Sequence, residues 1–130
     1  MNQQESGKLD DFFPFEPHPS STNGLPRILA IANQKGGVGK TTTTVNLAAC
    51  IAELGYRVLV VDFDPQANAT SALGIDPRSV EKSMYDVILN DVNLRDCIIK
   101  SKWEFLSVAP SNLDLAGAEI ELVSAFNRER

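Results

Sequence analysis

Residues 33–46 read NQKGGVGKTTTTVN, and this stretch decides the fold. The GKT at residues 39–41 is the ending of a phosphate-binding loop, and the glycine pair at 36–37 lets the backbone turn so that successive N–H groups point at an anion. A helix that starts directly after the loop would add the positive end of its dipole to the same place. The pattern therefore predicts a phosphate-binding loop between a strand and a helix.

The residues of this loop divide into roles. Lys40 is expected to reach the β- and γ-phosphates of a nucleotide, and the hydroxyl of Thr41 is expected to bind Mg²⁺. The strict pattern asks for glycine five residues before Gly39, but Gln34 stands there, so the loop is a variant. The alternative is a glycine loop that holds no ligand. The predicted nucleotide-binding residues are Lys35, Gly36, Gly37, Val38, Gly39, Lys40, Thr41 and Thr42.

The flanking sequence alternates strand and helix patterns. ILAIAN at 28–33 predicts a strand, TTTTVNLAACIAELG at 41–55 predicts a helix that stops at a glycine, and RVLVVDFD at 57–64 predicts a strand covered on both faces. SMYDVIL and VNLRDCII read as short helices, and WEFLSVAP as a third strand. This alternation predicts an α/β fold with a parallel sheet and a ligand at the carboxyl ends of its strands.

The last segment, residues 113–130, predicts a helix whose Leu113, Ala116, Ile120 and Val123 share one face.

Composition limits the class of protein. A chain of 130 residues with 43% hydrophobic residues and a net charge of -5 matches about one globular domain and does not match a basic nucleic-acid binder. It lacks a membrane-length apolar segment and a secretory signal, which predicts a cytoplasmic location without membrane contact. Cys50 and Cys97 are predicted to be buried apolar residues rather than metal ligands.

The amino-terminal residues 1–26 are polar and acidic and predict a disordered tail and linker, followed by a domain over residues 27–130. The aromatic residues in DDFFPFEPHP leave two interpretations open: solvated chain, or a docking strip for a partner.

Two aspartates follow the second predicted strand. Asp62 and Asp64 alternate with Phe63, so both are predicted to point to the same side, toward the phosphate-binding loop. One carboxylate there can hold the hydration shell of Mg²⁺, and the other can orient an attacking water. We assign the water to Asp64 and the ion to Asp62. The alternative for each is an aspartate that only caps its loop.

KGGVGKTT at residues 35–42 resembles the deviant Walker A motif of the ParA/MinD family of ATPases. The resemblance implies that Lys35 leaves its own loop and contacts the nucleotide of a second subunit. Such a cation would stabilise the charge that develops on the γ-phosphoryl oxygens, as an arginine finger does in other phosphate-loop enzymes. The alternative for Lys35 is a solvated surface lysine.

The resemblance extends from residue 27 to about residue 126. DPQANATSALG at 64–74 is similar to the ParA and Soj branch, which partitions chromosomes and plasmids, rather than to the division-site branch, MinD. In the family the second aspartate of DxD, here Asp64, is the hydrolysis residue, and the loop after it senses the γ-phosphate. The nitrogenase iron protein shares the lysine-rich loop, but Cys97 stands in RDCIIK without the flanking glycines of a cluster ligand.

The resemblance implies a P-loop NTPase with a Rossmann-like three-layer αβα arrangement, of which this chain holds about the first three strands. It also implies an ATPase that uses ATP and Mg²⁺, forms a homodimer on ATP, works with a ParB-like centromere-binding protein, and binds DNA nonspecifically on the nucleoid through a carboxyl-terminal surface.

Domains of this family are about twice as long as this chain, so we expect a fragment or a shortened protein. The missing parts include a Walker B aspartate and further strands. We therefore expect poor autonomous folding and no ATPase above background from the 130-residue chain. One alternative function is a non-catalytic module that binds nucleotide weakly or occupies the dimer face of a longer relative. Another is a different ParA/MinD-family ATPase, such as a protein that positions the cell-division site. These residues do not indicate whether the DNA to be segregated is a chromosome or a plasmid.

Overall fold

The computed structural model describes residues 28–118 and residue 121. The chain divides into two units, Met1–Ala30 and Ile31–Arg130, and all elements named here belong to the second. The described helices are α1 (Lys40–Glu53), α2 (Asn68–Ala72), α3 (Met84–Leu89) and α4 (Leu94–Cys97). The described strands are β1 (Val58–Val61), β2 (Ile99–Lys100) and β3 (Leu106–Ala109), a 3₁₀ turn spans Pro77–Ser79, and residues 115–118 and 121 are helical. The predicted tail, residues 1–26, lies outside the described residues.

The three strands form one sheet in the order β1-β3-β2. β1 pairs with β3 in parallel, from Val58 opposite Leu106 to Val61 opposite Ala109, as the sequence predicted. The antiparallel pairing of β2 with β3, with Ile99 opposite Val108, was not predicted from the sequence. Only a short loop joins β2 to β3, and a short loop can join antiparallel strands, whereas a parallel pair needs a crossover of a dozen or more residues.

The predicted first strand is wrong. Residues 28–33 have no regular secondary structure, and Ile31 is exposed. A strand exists only through hydrogen bonds to a neighbouring strand. In the described part of the sheet β1 is an edge strand, which pairs with β3 on one side and with no strand on the other. Residues 28–33 pair with no described strand, so they stay irregular although their sequence favours a strand.

Helix α1 forms as predicted, and Gly55, just beyond its last residue, stops it. This glycine has a φ of +85°, a left-handed conformation that glycine adopts without steric cost. The Gly55 N–H donates to the carbonyl of Ala52 (2.9 Å), and the Tyr56 N–H donates to the carbonyl of Ile51 (3.3 Å). These two bonds make a Schellman motif, which satisfies carbonyls at the helix end and turns the chain into β1.

The core lies between α1 and one face of the sheet. Ala48 and Ala52 of α1 pack with Val60 of β1 and with Leu106 and Val108 of β3. The small alanines allow the helix to approach the strands closely. Cys50 was predicted to be buried but is exposed, because it stands two positions from Ala48 and Ala52 and so faces away from the core. Cys97 is buried, as predicted, and burial raises the pKa of its thiol.

The prediction that β1 is covered on both faces is wrong for the described residues. Val60 is buried, but Leu59 and Val61 on the other face are 39% and 37% exposed. In the described part of the chain, only one face of the continuous apolar sequence of β1 is therefore buried.

The predicted face of the last helix is wrong as well. Leu113 is 76% exposed and Ala116 is exposed, whereas Leu115 and Ala118 are buried. Leu113 lies in the turn before the helix, which shifts the buried face by two positions. Ile120 and Val123 lie outside the described residues.

Candidate functional site

The loop before α1 has the shape that its glycines predict. Gly37 and Gly39 have φ values of +70° and +89°, which side chains with a Cβ rarely adopt. A Cβ placed on Gly36, Gly37 or Gly39 would meet no atom within 4 Å, so the concave side of the loop is open. The Lys35 N–H donates to the side-chain oxygen of Asn33 (2.9 Å), a turn that leads the chain into the loop.

The amino-terminal end of α1 carries backbone donors without partners. Its first bond runs from the Thr43 N–H to the carbonyl of Gly39 (2.9 Å), and no side chain caps the helix. Within the described residues, the N–H groups of Lys40, Thr41 and Thr42 have no acceptor. The first turn also lacks an acidic side chain that would neutralise the helix dipole. An anion at this end would therefore meet several free donors at once.

The two lysines of the loop occupy different places. The Lys40 ammonium donates to the Lys35 carbonyl (3.0 Å) and so folds back over its own loop. Lys35 is exposed, and it is not among the residues that line the cleft described below. The sequence predicted this division of the two lysines only through the family resemblance.

A cleft of about 490 Å³ opens in front of the loop. Seven of its lining residues belong to the predicted phosphate-binding loop: Gly36, Gly37, Val38, Gly39, Lys40, Thr41 and Thr42. The remaining lining residues come from the segment after β1: Asp64, Gln66 and Asn68. The volume lies within the range of small-ligand pockets, about 300–1,000 Å³.

Asp64 forms the acidic wall of this cleft. Its Oδ1 accepts a bond from the Gln66 N–H (3.0 Å), and its Oδ2 accepts one from the Asn68 side-chain amide (2.9 Å). The Ala67 N–H donates to the Asp64 carbonyl (2.8 Å), and Ala67 adopts a φ of +53°. The carboxylate is thus held by its own loop while it faces the phosphate-binding loop.

Asp62 does not join Asp64 at the cleft, so the prediction that both carboxylates face the loop is wrong for Asp62. It is only 4% exposed, and its Oδ2 accepts bonds from the N–H and the hydroxyl of Thr70 (2.8 and 2.7 Å). Its Oδ1 accepts a bond from the Asp64 N–H (3.0 Å). The chain turns sharply after β1, so the strand alternation on which the prediction rested ends before Asp64.

Gln66 and Asn68 are cleft residues that the sequence did not predict as such. The signal was the spacing, since Asn68 stands four residues after Asp64 in the segment between β1 and α2. Side chains of Asn and Asp commonly bond to groups a few residues away in turns, which is how Asn68 reaches the carboxylate.

The groups around the cleft fit a magnesium-bound polyphosphate. Free backbone N–H groups and a lysine ammonium are ligands for phosphate oxygens. The Thr41 hydroxyl has no hydrogen-bond partner in the described part of the chain, and it lines the cleft together with the Asp64 carboxylate. Hydroxyl and carboxylate oxygens are the ligands that Mg²⁺ prefers. The site therefore has backbone N–H groups and a lysine ammonium on one side and a single carboxylate on the other.

Two negative findings concern residues 28–118 and 121 only. None of their helices has the length and apolar character needed to cross a bilayer. They contain no group of three His, Cys, Asp or Glu side chains placed to hold a metal ion.

Comparison with known proteins identifies the family. Residues 26–130 match the model of a family described as an AAA domain. The chain is 56% identical over 105 residues to the sporulation initiation inhibitor protein Soj of Bacillus subtilis, which covers 81% of this chain and 42% of Soj. It is 48% identical over 108 residues to the chromosome partitioning protein ParA of Caulobacter vibrioides, which covers 83% of this chain and 40% of ParA.

A solved structure agrees with these relatives. The cobyrinic acid a,c-diamide synthase of Mycobacterium smegmatis, with bound ADP and magnesium, superposes with a TM-score of 0.72 at 44% identity, over 76% of this chain and 40% of the synthase. The chain thus spans about two fifths of the length of the proteins it matches. The resemblance to ParA and Soj is confirmed, as is the α/β fold of a P-loop NTPase. Because the matched region takes in residues 26–130, the phosphate-binding loop and the DxD segment included, this chain belongs to the AAA domain family.

Proposed function

We propose that this chain is the nucleotide-binding part of a ParA/Soj-like partition ATPase that binds ATP with Mg²⁺ and acts in DNA segregation. The observation that carries the proposal is the cleft, in which free helix N–H groups and Lys40 face the Asp64 carboxylate. The names of the Soj and ParA relatives support the cellular role. The ADP and magnesium bound to the synthase support the ligand.

In this proposal the loop residues bind and orient the phosphates. The N–H groups of Lys40, Thr41 and Thr42 donate to phosphate oxygens, and the Lys40 ammonium exchanges the Lys35 carbonyl for the β- and γ-phosphates. The Thr41 hydroxyl, which lines the cleft, would hold Mg²⁺, and the ion would supply positive charge to neutralise the phosphates.

Asp64 orients the attacking water in the proposed reaction. Its carboxylate lines the cleft opposite the loop, and its two bonds to Gln66 and Asn68 fix its direction. A carboxylate oxygen has two lone-pair sites, so each oxygen of Asp64 can still accept a bond from water. Asp62 was predicted to help hold the hydration shell of Mg²⁺. We retain that role as a proposal, although its hydrogen bonds in the structure go to Thr70 and Asp64.

We assign Lys35 to the nucleotide of a second subunit in an ATP-dependent homodimer. Its exposed position outside the cleft is what a residue that acts across an interface requires. A cation delivered in this way stabilises the developing γ-phosphoryl charge only when two subunits meet, which couples hydrolysis to dimerisation.

The partners are proposed from the relatives alone. A ParB-like centromere-binding protein would stimulate hydrolysis, and nonspecific DNA would bind a surface outside this chain, in the cytoplasm on the nucleoid. The net charge of -5 agrees with a chain that does not itself bind DNA. For the 130-residue chain alone we propose no turnover, because residues 31–33, which lead into the loop, are not held by a strand.

Calorimetric titration of the intact protein with MgADP and with a non-hydrolysable ATP analogue tests this proposal. Lys40→Ala should weaken binding by roughly tenfold to a hundredfold, because a charge-assisted contact to phosphate is lost. Lys35→Ala should bind like the wild type as a monomer, yet fail to dimerise with the analogue and lose turnover. Lys100→Ala, an exposed lysine on β2, is the matched control.

Equal loss of monomer affinity in Lys35→Ala and Lys40→Ala would show that Lys35 does not act across an interface. Absence of nucleotide binding by the wild type would refute the proposed function itself.

A further inference from the structure

Thr70, in α2, is fully buried, and both its N–H and its hydroxyl are hydrogen-bonded near the end of β1. Its N–H and its hydroxyl both donate to Oδ2 of Asp62, at 2.8 and 2.7 Å. Its hydroxyl oxygen also accepts a bond from the Ser111 N–H (3.1 Å). A buried threonine hydroxyl with a donor and an acceptor role is a junction rather than a packing residue.

The Asp62 carboxylate clamps a loop at both ends. Oδ1 holds the Asp64 N–H, at the start of the loop, and Oδ2 holds Thr70, at its far side. Asp62 itself is anchored to the sheet, since its N–H donates to the Ala109 carbonyl (3.0 Å). One buried carboxylate therefore ties the segment between residues 64 and 70 to the sheet.

This clamped segment carries the cleft-lining side chains that follow β1: Asp64, Gln66 and Asn68. It contains the left-handed Ala67, whose conformation an L-residue keeps only where the surrounding bonds enforce it. The place of Asp64 in the cleft wall is therefore determined by bonds that lie outside the cleft.

We propose that Thr70, acting through Asp62, is a positioning residue that fixes the loop carrying Asp64 in the wall of the cleft. The proposal rests on the proposed function, in which Asp64 orients the attacking water. It extends that function by giving the buried Asp62 a part that does not require contact with nucleotide.

The Ser111 bond extends this junction to the end of β3. Pro110, the residue before Ser111, accepts a bond from the Met84 N–H (2.9 Å) at the start of α3. Loss of the Thr70 hydroxyl therefore removes a donor from Asp62 and an acceptor from Ser111 at the same time. Both losses are internal to the protein and leave the groups of the cleft chemically unchanged.

The test compares Thr70→Val, which keeps the shape and removes the hydroxyl, with Thr70→Ser, which keeps the hydroxyl. Amide hydrogen exchange of the intact protein without nucleotide gives a readout independent of activity. In Thr70→Val the amides of Asp64, Gln66, Ala67 and Ser111 should exchange about tenfold faster, while those of α1 and β1 stay unchanged. Thr70→Ser should restore slow exchange. Ser71→Ala, its exposed neighbour, is the matched control.

Steady-state kinetics supply the second arm. Thr70→Val should lower kcat by about tenfold or more, with MgATP affinity within about twofold of the wild type, because the loop and Lys40 bind the phosphates unaided. Thr70→Ser should recover most of kcat. In the nucleotide-free exchange experiment, Asp62→Asn offers a second route to the same loss of protection, since one amide oxygen cannot replace two carboxylate oxygens between Asp64 and Thr70.

Unchanged exchange at residues 64–67 in folded Thr70→Val and Asp62→Asn would overturn the proposal. So would equal acceleration throughout α1 and β1, because the hydroxyl would then support the whole fold and not this loop. A wild type that binds no nucleotide would instead refute the proposed function, while the exchange data would still decide whether Thr70 fixes the loop.

Discussion

In the structure, the carboxylate of Asp64 is hydrogen-bonded to groups of its own loop. Its bonds to the Gln66 N–H and the Asn68 amide set the direction of both oxygens, so little reorientation is needed when a water is bound. Transition-state stabilisation in phosphoryl transfer rests on positioning and electrostatics, and in the proposed reaction a preset carboxylate would contribute to both.

Asp64→Ala in the intact protein should preserve ATP binding and abolish hydrolysis, because Lys40, Lys35 and Mg²⁺ still neutralise the phosphates while the water loses its guide. We expect turnover to fall by about a hundredfold or more, the usual contribution of a positioned base. The ATP-bound dimer should accumulate, measurable by light scattering with bound nucleotide. Asp96→Ala, an exposed carboxylate of α4, should turn over normally. Hydrolysis by Asp64→Ala near the wild-type rate would remove Asp64 from the mechanism.

The sequence predicted the residues of the loop side of the cleft better than those of its acidic side. GK[ST] chemistry is local, since it depends on the backbone conformation of Gly37 and Gly39 and on the side chain of the adjacent Lys40. The direction of Asp62 depends on Thr70 and Asp64, and through Thr70 on Ser111, which is 41 residues distant from Thr70. Alternation along a strand contains no information about such a partner.

Among the elements, α3 is stabilised by a capping box. The Tyr85 N–H donates to the Ser83 hydroxyl (3.2 Å), and the Ser83 N–H donates to the Asp86 carboxylate (2.8 Å). Bonding of the carboxylate to the Ser83 N–H holds the pKa of Asp86 below its ordinary value of 3.8. The same turn is tied to the end of β3 through the Met84 N–H, so the box helps to hold α3 on the sheet.

The Asp86 pKa predicts a pH dependence of stability. Because the pKa is lower in the folded state than in the unfolded chain, the stabilisation is present above the unfolded value and disappears as pH falls through the folded value. The difference in unfolding free energy between wild type and Asp86→Asn should be constant near neutral pH and shrink below pH 3.8. Urea unfolding at a series of pH values measures it.

Asn93→Ala is the control for this experiment, since it removes the side-chain cap of α4, an oxygen that accepts from the Arg95 N–H, and leaves the Asp86 carboxylate untouched. Its cost, about 1 kcal/mol, should persist across the same pH series. A pH-independent difference for Asp86→Asn would show that the folded protein does not favour the charged carboxylate.

Sequence patterns identified the helices and strands that carry a pattern of their own and missed α2 and β2. α1, α3, α4, β1 and β3 carry periodicity or apolar runs of their own. α2 has five residues and β2 has two, so each depends on an outside bond, from Asp62 for α2 and from β3 for β2. Residues 28–33 show the converse case: their propensity favours a strand, but pairing is required and the described sheet supplies none.

At the scale of the molecule, the uncovered face of β1 favours association between chains. Leu59 and Val61 are more than one third exposed, and Phe63, two residues after the strand, is 60% exposed. They adjoin a strand edge that no described strand pairs. Contiguous apolar surface beside an open edge promotes association between chains.

The purified 130-residue polypeptide should therefore bind the dye ANS and aggregate with increasing concentration. Replacing Leu59 and Val61 together by Thr, which keeps β propensity, should reduce both effects. Leu113→Ser, which removes a residue that is 76% exposed outside the sheet, is the matched control and should change little. A soluble monomer with a cooperative melt and no dye binding would contradict this expectation.

The parallel pairing of β1 with β3 has a consequence for the order of events on the ribosome. Val58 pairs with Leu106, and α2, α3, α4 and β2 all lie between them in the chain. At about 5–20 residues per second, β1 waits several seconds after its own synthesis before its partner strand exists. Among the helices and strands that the structure describes, α1 is the one already made in that interval that packs on β1 in the folded state. We therefore expect the nascent chain to pass through a helix–strand stage in which β1 is exposed to chaperones.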